Sequence, residues 1–160
     1  MDKKKVTSLE YLMPVFRERL AAGQSVRFSP QGTSMLPMIR QGIDSVVISP
    51  ISGELKKYDI PLYRRDNGQY VLHRIVEVGD TYTCIGDNQF VKERGLTDDQ
   101  MIAVVTAFDR GGRVHSTSEF GYQCYCRLWN YSRRFRYFLR RGVRWIRRKA
   151  GGVKHRLGKL

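Results

Sequence analysis

Short segments rich in strand-forming residues alternate with turn signals through the middle of this chain, and no other feature restricts its fold as strongly. Val, Ile, Tyr and Thr predominate within the segments, whereas Gly, Pro, Asn and Asp predominate between them, as in antiparallel sheets. The predicted strands cover residues 25–28, 45–48, 60–63, 70–78, 81–85 and 102–108. Asn67-Gly68, between two of these strands, predicts a tight hairpin. The pattern therefore predicts a mainly β domain over residues 25–120.

The residues that precede the strands, 1–24, predict one short amphipathic helix. Thr7 and Glu10 have the spacing of a capping box, and Gly23 is suited to the end of a helix. Apolar side chains recur between these signals at helical spacing: Leu9, Leu12, Met13, Phe16 and Leu20. We expect this stripe to pack on the core of the β domain. A helix that lies on a membrane or binds a partner is the alternative interpretation.

Charge is distributed very unevenly along the 160 residues, whose net charge is +14. Residues 121–160 contain ten Arg and three Lys but no Asp or Glu. The first 120 residues contain 16 basic and 15 acidic groups, so they are almost neutral. The sequence therefore predicts a near-neutral body followed by a strongly cationic tail.

The cationic tail has helical periodicity. Its apolar residues fall near one face: Leu128, Tyr131, Phe135, Phe138, Leu139 and Ile146. Aromatic residues interleaved with Arg are typical of an amphipathic helix that lies on an anionic membrane. We expect residues 121–160 to bind such a surface. Binding of nucleic acid through its phosphates is the second interpretation, and a merely solvated helix face is the third.

The cysteine content and the hydropathy favour a cytoplasmic protein. Cys84, Cys124 and Cys126 are odd in number and lack the spacing of a zinc site, which predicts three reduced thiols. No run approaches the roughly 18 apolar residues of a membrane span, and no apolar segment follows lysines 3–5 as in a signal peptide. We therefore expect a location at the inner face of the membrane, peripheral rather than inserted. No cofactor or metal site is expected.

Two polar residues have the character of a nucleophile and its base. Ser34 lies in a Gly-to-Pro loop after a predicted strand, where its hydroxyl would be accessible and backbone N–H groups could hold an oxyanion. His73 lies in a mostly apolar strand, which alone would predict a buried core histidine, but a nucleophilic serine needs such a base. Asp87 and Glu93 follow, and either carboxylate could orient the imidazole.

The same residues belong to a series of motifs that resembles the signal-peptidase and SOS-repressor (LexA-like) serine peptidase superfamily. In chain order the motifs are Gly32-x-Ser34-Met35-x-Pro37, Gly42 with Asp44, Tyr58-Asp59-Ile60, His73-Arg74-Ile75 and Gly86-Asp87-Asn88. Each motif is weak by itself, but the order makes the series specific. The resemblance extends over residues 25–108 and implies the β-fold of that superfamily and the activity of a serine endopeptidase.

The histidine in this series is similar to that of the archaeal, endoplasmic-reticulum and sporulation-type signal peptidases, whereas other branches use lysine. The resemblance implies Ser34 as nucleophile and His73 as general base. It implies Glu93 as the acid, in Glu-Arg-Gly-Leu where the branch has Asp-Arg-Gly-Leu, with Asp87 as the second candidate. The expected reaction is limited cleavage of a peptide or protein substrate without a cofactor.

The chain departs from the family pattern at several positions. Ile43 is an extra residue within a Gly-Asp pair, Tyr58 replaces a glycine, and Gly32 replaces a hydroxyl-bearing residue. The oxyanion would therefore depend on backbone N–H groups, that of Ser34 among them. We expect neither the membrane span of signal peptidases nor the DNA-binding domain of the repressors. Two alternatives stay open: a catalytically inactive peptide-binding module of the same fold, and a self-cleaving regulator associated with nucleic acid.

Overall fold

The computed structural model describes residues 9–139 and 141, and it is mainly β. In chain order its elements are α1 (Leu9–Ala21), β1 (Val26–Phe28), β2 (Ser45–Ser49), β3 (Pro61–Arg64), β4 (Tyr70–Leu72), β5 (Arg74–Val78), β6 (Tyr82–Ile85), β7 (Glu93–Leu96), a 3-10 turn (Asp98–Gln100), β8 (Met101–Arg110), β9 (Arg113–Ser116) and α2 (Phe120–Tyr131). Residues 133–139 are again helical. The expected mainly β body with helices before and after it is confirmed, whereas the named fold stays a prediction.

The strands form two antiparallel sheets. The larger has the order β1-β2-β8-β3-β4, with β9 paired to β8, and the smaller has the order β5-β6-β7. The predicted hairpin at Asn67-Gly68 joins β3 to β4, and the Gly68 N–H donates to the Arg65 carbonyl at 2.9 Å. The sequence pattern missed β7 and β9, because neither segment has the apolar alternation that predicts a strand.

The predicted strand 70–78 is divided into two at His73. Its first part, β4, belongs to the larger sheet, and its second part, β5, belongs to the smaller. Apolar residues occur on both sides of the break because Leu72 is buried in the main core while Ile75 is buried in a second core beneath the smaller sheet. His73 therefore lies at the junction of the two sheets, with 2% of its surface exposed.

Both flanking helices pack into the main core. Met13, Phe16 and Leu20 of α1 are buried there, which confirms the predicted role of the apolar stripe. Burial of each such side chain contributes about 1.5–3 kcal/mol to the free energy of unfolding. Helix α2 contributes Tyr122 and Cys126 to the same core, so the beginning of the basic segment is part of the packed body. Thr7 and Ile146 lie outside the described residues.

Ile43 and Asp44 follow the Ser34 loop (residues 30–40) and differ in exposure. Ile43 is 68% exposed, whereas Asp44 is almost completely buried. The Asp44 carboxylate accepts a hydrogen bond from the Arg40 backbone N–H at 2.8 Å and two more from the Arg40 guanidinium. Asp44 thus fixes the end of the Ser34 loop.

Tyr58 adopts the left-handed backbone conformation, with φ = 81°. Side chains rarely adopt this conformation because Cβ crowds the following carbonyl. Two hydrogen bonds hold it: its N–H donates to the Ile75 carbonyl at 2.9 Å, and its carbonyl accepts from Arg74 at 3.0 Å. The ring lies beside the Lys57 and Arg127 cations.

A pair of substitutions at Tyr58 isolates this backbone strain. Tyr58→Ala and Tyr58→Gly both remove the ring, but only glycine also removes the Cβ crowding. We expect the glycine variant to be more stable than the alanine variant by about 1 kcal/mol, since its greater freedom in the unfolded chain offsets part of the gain. Urea denaturation of the two proteins measures the difference, and a more stable alanine variant would contradict the strain.

Candidate active site

Ser34 and His73 line one surface cavity of about 530 Å³. Its walls come from the Ser34 loop (residues 30–40), strand β4, the β3–β4 hairpin and the first turn of α1. The serine is partly exposed and the histidine buried. The structure therefore brings the predicted nucleophile and base to the same cavity.

Glu93 lies within hydrogen-bond distance of the His73 ring. Its Oε1 is 3.1 Å from His73 Nδ1. Because β7 pairs with β6 and β6 pairs with β5, the smaller sheet carries Glu93 back beside the histidine that precedes β5. A Ser-His-acid triad likewise has a carboxylate at Nδ1 of the histidine, which leaves Nε2 to accept the proton of the nucleophile.

Tyr63 determines which nitrogen of His73 carries the proton. Its hydroxyl donates to Glu93 Oε2 at 2.9 Å and lies 3.2 Å from His73 Nδ1. Since the single hydroxyl proton goes to Glu93, Nδ1 finds only oxygen acceptors and is the protonated nitrogen. This tautomer leaves a lone pair on Nε2, which is the form that a general base requires.

Burial is the main influence on the His73 pKa, and it lowers the pKa below the usual histidine value. The Glu93 carboxylate raises the pKa and offsets part of this effect, while the Arg65 cation lowers it. The net reduction keeps the imidazole neutral at pH 7. His73 is therefore in the protonation state of a base at neutral pH.

Arg65 holds the Glu93 carboxylate in place. Its Nε donates to Glu93 Oε2 at 2.8 Å, and its Nη2 forms an ion pair with Oε1. Burial would raise the pKa of Glu93, but the hydrogen bonds from Arg65 and Tyr63 outweigh it and hold the pKa below its usual range. Sequence reasoning missed both donors, because Tyr63 had the pattern of a core strand residue and Arg65 that of a solvated hairpin charge.

The Ser34 loop leaves a backbone donor available near the nucleophile. The Gly32 N–H donates to the Gln41 side chain at 3.0 Å, so it is already used. Within residues 9–139 and 141, neither the Ser34 N–H nor its hydroxyl makes a hydrogen bond. The serine and His73 thus share the cavity without a direct hydrogen bond, and catalytic contacts of this kind often tighten only when substrate binds.

Asp87, the second candidate for the acid, forms an ion pair with Arg74 and not with His73. Both of its carboxylate oxygens accept hydrogen bonds from the Arg74 guanidinium, at 2.7 and 2.8 Å. Arg74 and Asp87 are both fully buried. The structure therefore brings Glu93, and not Asp87, into hydrogen-bond distance of the His73 ring, although it does not test either catalytic role.

The pH dependence of Ser34 reactivity is expected to follow the His73 pKa. Reactivity requires the neutral imidazole, so its rise with pH should have a midpoint below about 6.5, the value of an unperturbed histidine. Glu93→Gln removes a charge that raises the His73 pKa, so the midpoint should move to still lower pH. The plateau rate should also fall, because the ring loses its orienting acceptor.

The rate of Ser34 labelling by a fluorophosphonate between about pH 4.5 and 9 measures both midpoints. Glu77→Gln is the matched control, since Glu77 is exposed and pairs with Lys92 on the smaller sheet. A Glu93→Gln midpoint at or above that of the wild type would contradict the predicted contact between the carboxylate and His73.

Other types of site find less support in the described part of the chain. No group of three or more His, Cys, Asp or Glu side chains in residues 9–139 and 141 could hold a metal ion. None of the helices in this part has the length and hydropathy to cross a membrane. His115 is paired with Glu119 at 3.2 Å, and His155 lies outside the described residues.

Comparison of the chain with protein-family models, curated proteins and solved structures gave no match. The relation to the signal-peptidase and SOS-repressor superfamily therefore stays a prediction from the sequence motifs. The function has to be inferred from the geometry of Ser34, His73 and Glu93 themselves.

Proposed function

We propose that this protein is a serine endopeptidase in which Ser34 is the nucleophile, His73 the general base and Glu93 the acid that orients it. One observation carries the proposal: His73 lines a cavity together with Ser34 while its Nδ1 lies 3.1 Å from Glu93 Oε1. A buried, neutral histidine that shares a cavity with a serine and contacts a held carboxylate has the chemistry for acyl transfer.

The reaction would proceed through an acyl-enzyme. Ser34 Oγ attacks the peptide carbonyl carbon while His73 Nε2 accepts the hydroxyl proton, and the backbone N–H of Ser34 donates to the oxyanion. The C–N bond then breaks, and the leaving amine takes the proton from His73. Water repeats the attack on the Ser34 ester with His73 as base. The ester bond breaks, the proton returns to Ser34 Oγ and the new carboxylic acid leaves.

The free edge of the larger sheet suits an extended peptide. Strand β4 is at the end of the strand order and is paired to β3 on one side. A peptide added to its other side would gain backbone hydrogen bonds, as in β-strand addition. Because β4 ends immediately before His73, a peptide bound along this edge would place one of its carbonyl groups near the base. The family resemblance implies small residues before the cleaved bond.

Reaction with a fluorophosphonate probe tests the activity. We expect the native protein to form a phosphonyl ester, with mass spectrometry locating the adduct on Ser34, and heat-denatured protein to form none. An unreactive native protein would favour the inactive peptide-binding module. Appearance of a new fragment when the pure protein is incubated alone would favour the self-cleaving regulator.

We propose further that the protein docks on an anionic membrane, at its inner face, through the exposed side of its last helices. Leu128, Tyr131, Phe135 and Phe138 recur three or four positions apart, and each is more than 60% exposed. Exposed arginines flank this stripe: Arg127, Arg134 and Arg141. An apolar stripe beside a cationic one is the pattern of a helix in the headgroup region. Trp145, another aromatic residue of the tail, lies outside the described residues.

Co-sedimentation with phosphatidylglycerol vesicles tests this docking. We expect binding that weakens with salt but keeps a salt-resistant remnant, because apolar burial is not screened. Replacing Leu128, Tyr131, Phe135 and Phe138 by serine, with every Arg kept, should lower the affinity at least about tenfold and remove the remnant. Tighter binding to duplex DNA than to the vesicles at equal ionic strength would instead support a nucleic-acid partner.

A further inference from the structure

The turn at residues 86–89 lies between the basic helical segment and the Ser34 loop. On the helical side, Arg133 Nη1 donates to the carbonyls of Gly86 at 2.9 Å and of Gln89 at 2.7 Å. Trp129 Nε1 donates to the Asp87 carbonyl at 2.9 Å. The segment predicted from its charge to face a membrane thus inserts two side chains toward the body of the protein.

On its other side, the same turn holds the nucleophile loop. The Asn88 backbone N–H donates to the Ser34 carbonyl at 2.7 Å, and its side-chain amide donates to the Thr33 carbonyl at 3.1 Å. A Cβ at Gly86 would lie only 2.7 Å from the Ser34 carbonyl oxygen. Since that separation is shorter than any ordinary contact, the turn can approach Ser34 this closely only with glycine at position 86.

Arg136 Nη1 also donates to the Asp87 carbonyl of this turn, at 3.4 Å. Arg133 makes shorter contacts, to its two carbonyls and to the Asn130 side-chain oxygen, which is 2.7 Å from Nη2. Burial is the main influence that lowers its pKa, to about 10, so the group remains protonated at neutral pH. A guanidinium that loses hydration in this way needs fixed acceptors. Two of these acceptors belong to the turn that holds Ser34.

We propose that Arg133 and Trp129 are positioning residues, which fix the 86–89 turn and through it the Ser34 backbone. The basic segment then has a second role besides binding an anionic surface: it holds the candidate nucleophile in the reactive position. The catalytic part of this inference rests on the proposed function, whereas the mechanical link from Arg133 to Ser34 does not.

Positioning affects the chemical step more than binding. Loss of the Arg133 contacts leaves the cavity walls formed by α1, β4 and the β3–β4 hairpin in place, although Gln89 of the turn also lines the cavity. It lets the Ser34 carbonyl and N–H shift, and small misplacements of a reacting group slow a reaction strongly. We therefore expect Arg133→Gln to lower the maximal rate of fluorophosphonate labelling about tenfold with little change in the probe concentration at half-maximal rate. Arg133→Lys should restore part of the rate, since an ammonium can still donate to a carbonyl.

Hydrogen exchange measures the link without any activity. The Asn88 amide that donates to Ser34 reports on the contact directly, so peptides covering residues 84–91 and 30–40 should exchange faster in Arg133→Gln than in the wild type. Arg134→Gln is the matched control: it removes the same charge from the neighbouring, exposed position. Trp129→Phe keeps an aromatic ring at this position but removes the N–H that donates to the Asp87 carbonyl. It should give a smaller increase in exchange at the same peptides.

The outcomes separate this inference from the proposed function. Faster exchange at both peptides in Arg133→Gln but not in Arg134→Gln supports the link. The link would be overturned if Arg133→Gln and Trp129→Phe exchanged at the same rate as the wild type. If the wild type reacts with the probe, an Arg133→Gln variant labelled at the wild-type rate would also overturn the inference. A wild type that fails to react refutes the peptidase, while the exchange data still decide whether the basic segment holds the Ser34 loop.

Discussion

Ser34→Ala is expected to reduce peptide hydrolysis by at least about 10³-fold without unfolding the protein, because the acyl-enzyme cannot form without the hydroxyl. His73→Ala should cause a loss of the same order, since the serine then lacks a base. The double variant should be no slower than either single variant, because the two side chains act as one unit. The measurement is the kcat/KM for a peptide selected from a library with the wild-type protein.

Two control variants make the result specific. Ser29→Ala changes an exposed serine just before the same loop, and His115→Ala changes a histidine that stacks on Phe108 and pairs with Glu119. Both should retain wild-type activity. Hydrolysis by Ser34→Ala within tenfold of the wild type would refute the nucleophile, and a His73→Ala variant with full activity would refute the base.

The sequence pattern predicted those elements of the fold whose signals are local. Helix α1 has capping and periodicity, and the β3–β4 hairpin has an Asn-Gly turn, so neighbouring residues suffice to indicate them. The break at His73 could not be predicted in this way. Residues 70–78 have the composition of one strand because two separate cores bury apolar side chains of its two halves, and only the three-dimensional arrangement distinguishes those cores.

Part of the candidate site, too, could be predicted from the sequence, and part could not. Ser34 and His73 could be proposed from residue type, loop context and family resemblance. The choice between Glu93 and Asp87 could not be made from residue types, since both carboxylates follow the histidine at plausible spacing. The choice depends on strand pairing, which brings Glu93 of β7 beside His73. It also depends on the ion pair that Asp87 forms with Arg74.

Asp87→Asn should be among the most destabilising single substitutions in this protein. Arg74 and Asp87 are fully buried, and the ion pair joins β5 to the 86–89 turn. Burial lowers the pKa of Arg74, and in the native protein the Asp87 carboxylate more than offsets this effect. The variant loses that carboxylate, but the guanidinium stays charged because arginine is not deprotonated in proteins. An unpaired buried charge typically costs about 3–5 kcal/mol. That is a large part of the roughly 5–15 kcal/mol that stabilises a domain.

Urea denaturation of Asp87→Asn, Asp109→Asn and the wild type tests this expectation and the role of Asp87 together. Asp109 pairs with Arg27 at 3.4 Å in a partly exposed position, so its substitution should cost less than about 1 kcal/mol. If Asp87 instead served mainly to orient His73, Asp87→Asn would keep the wild-type free energy of unfolding and lose activity. A large loss of stability, with the remaining folded fraction still labelled at Ser34, would establish that Asp87 supports the fold and leave Glu93 as the acid of the site.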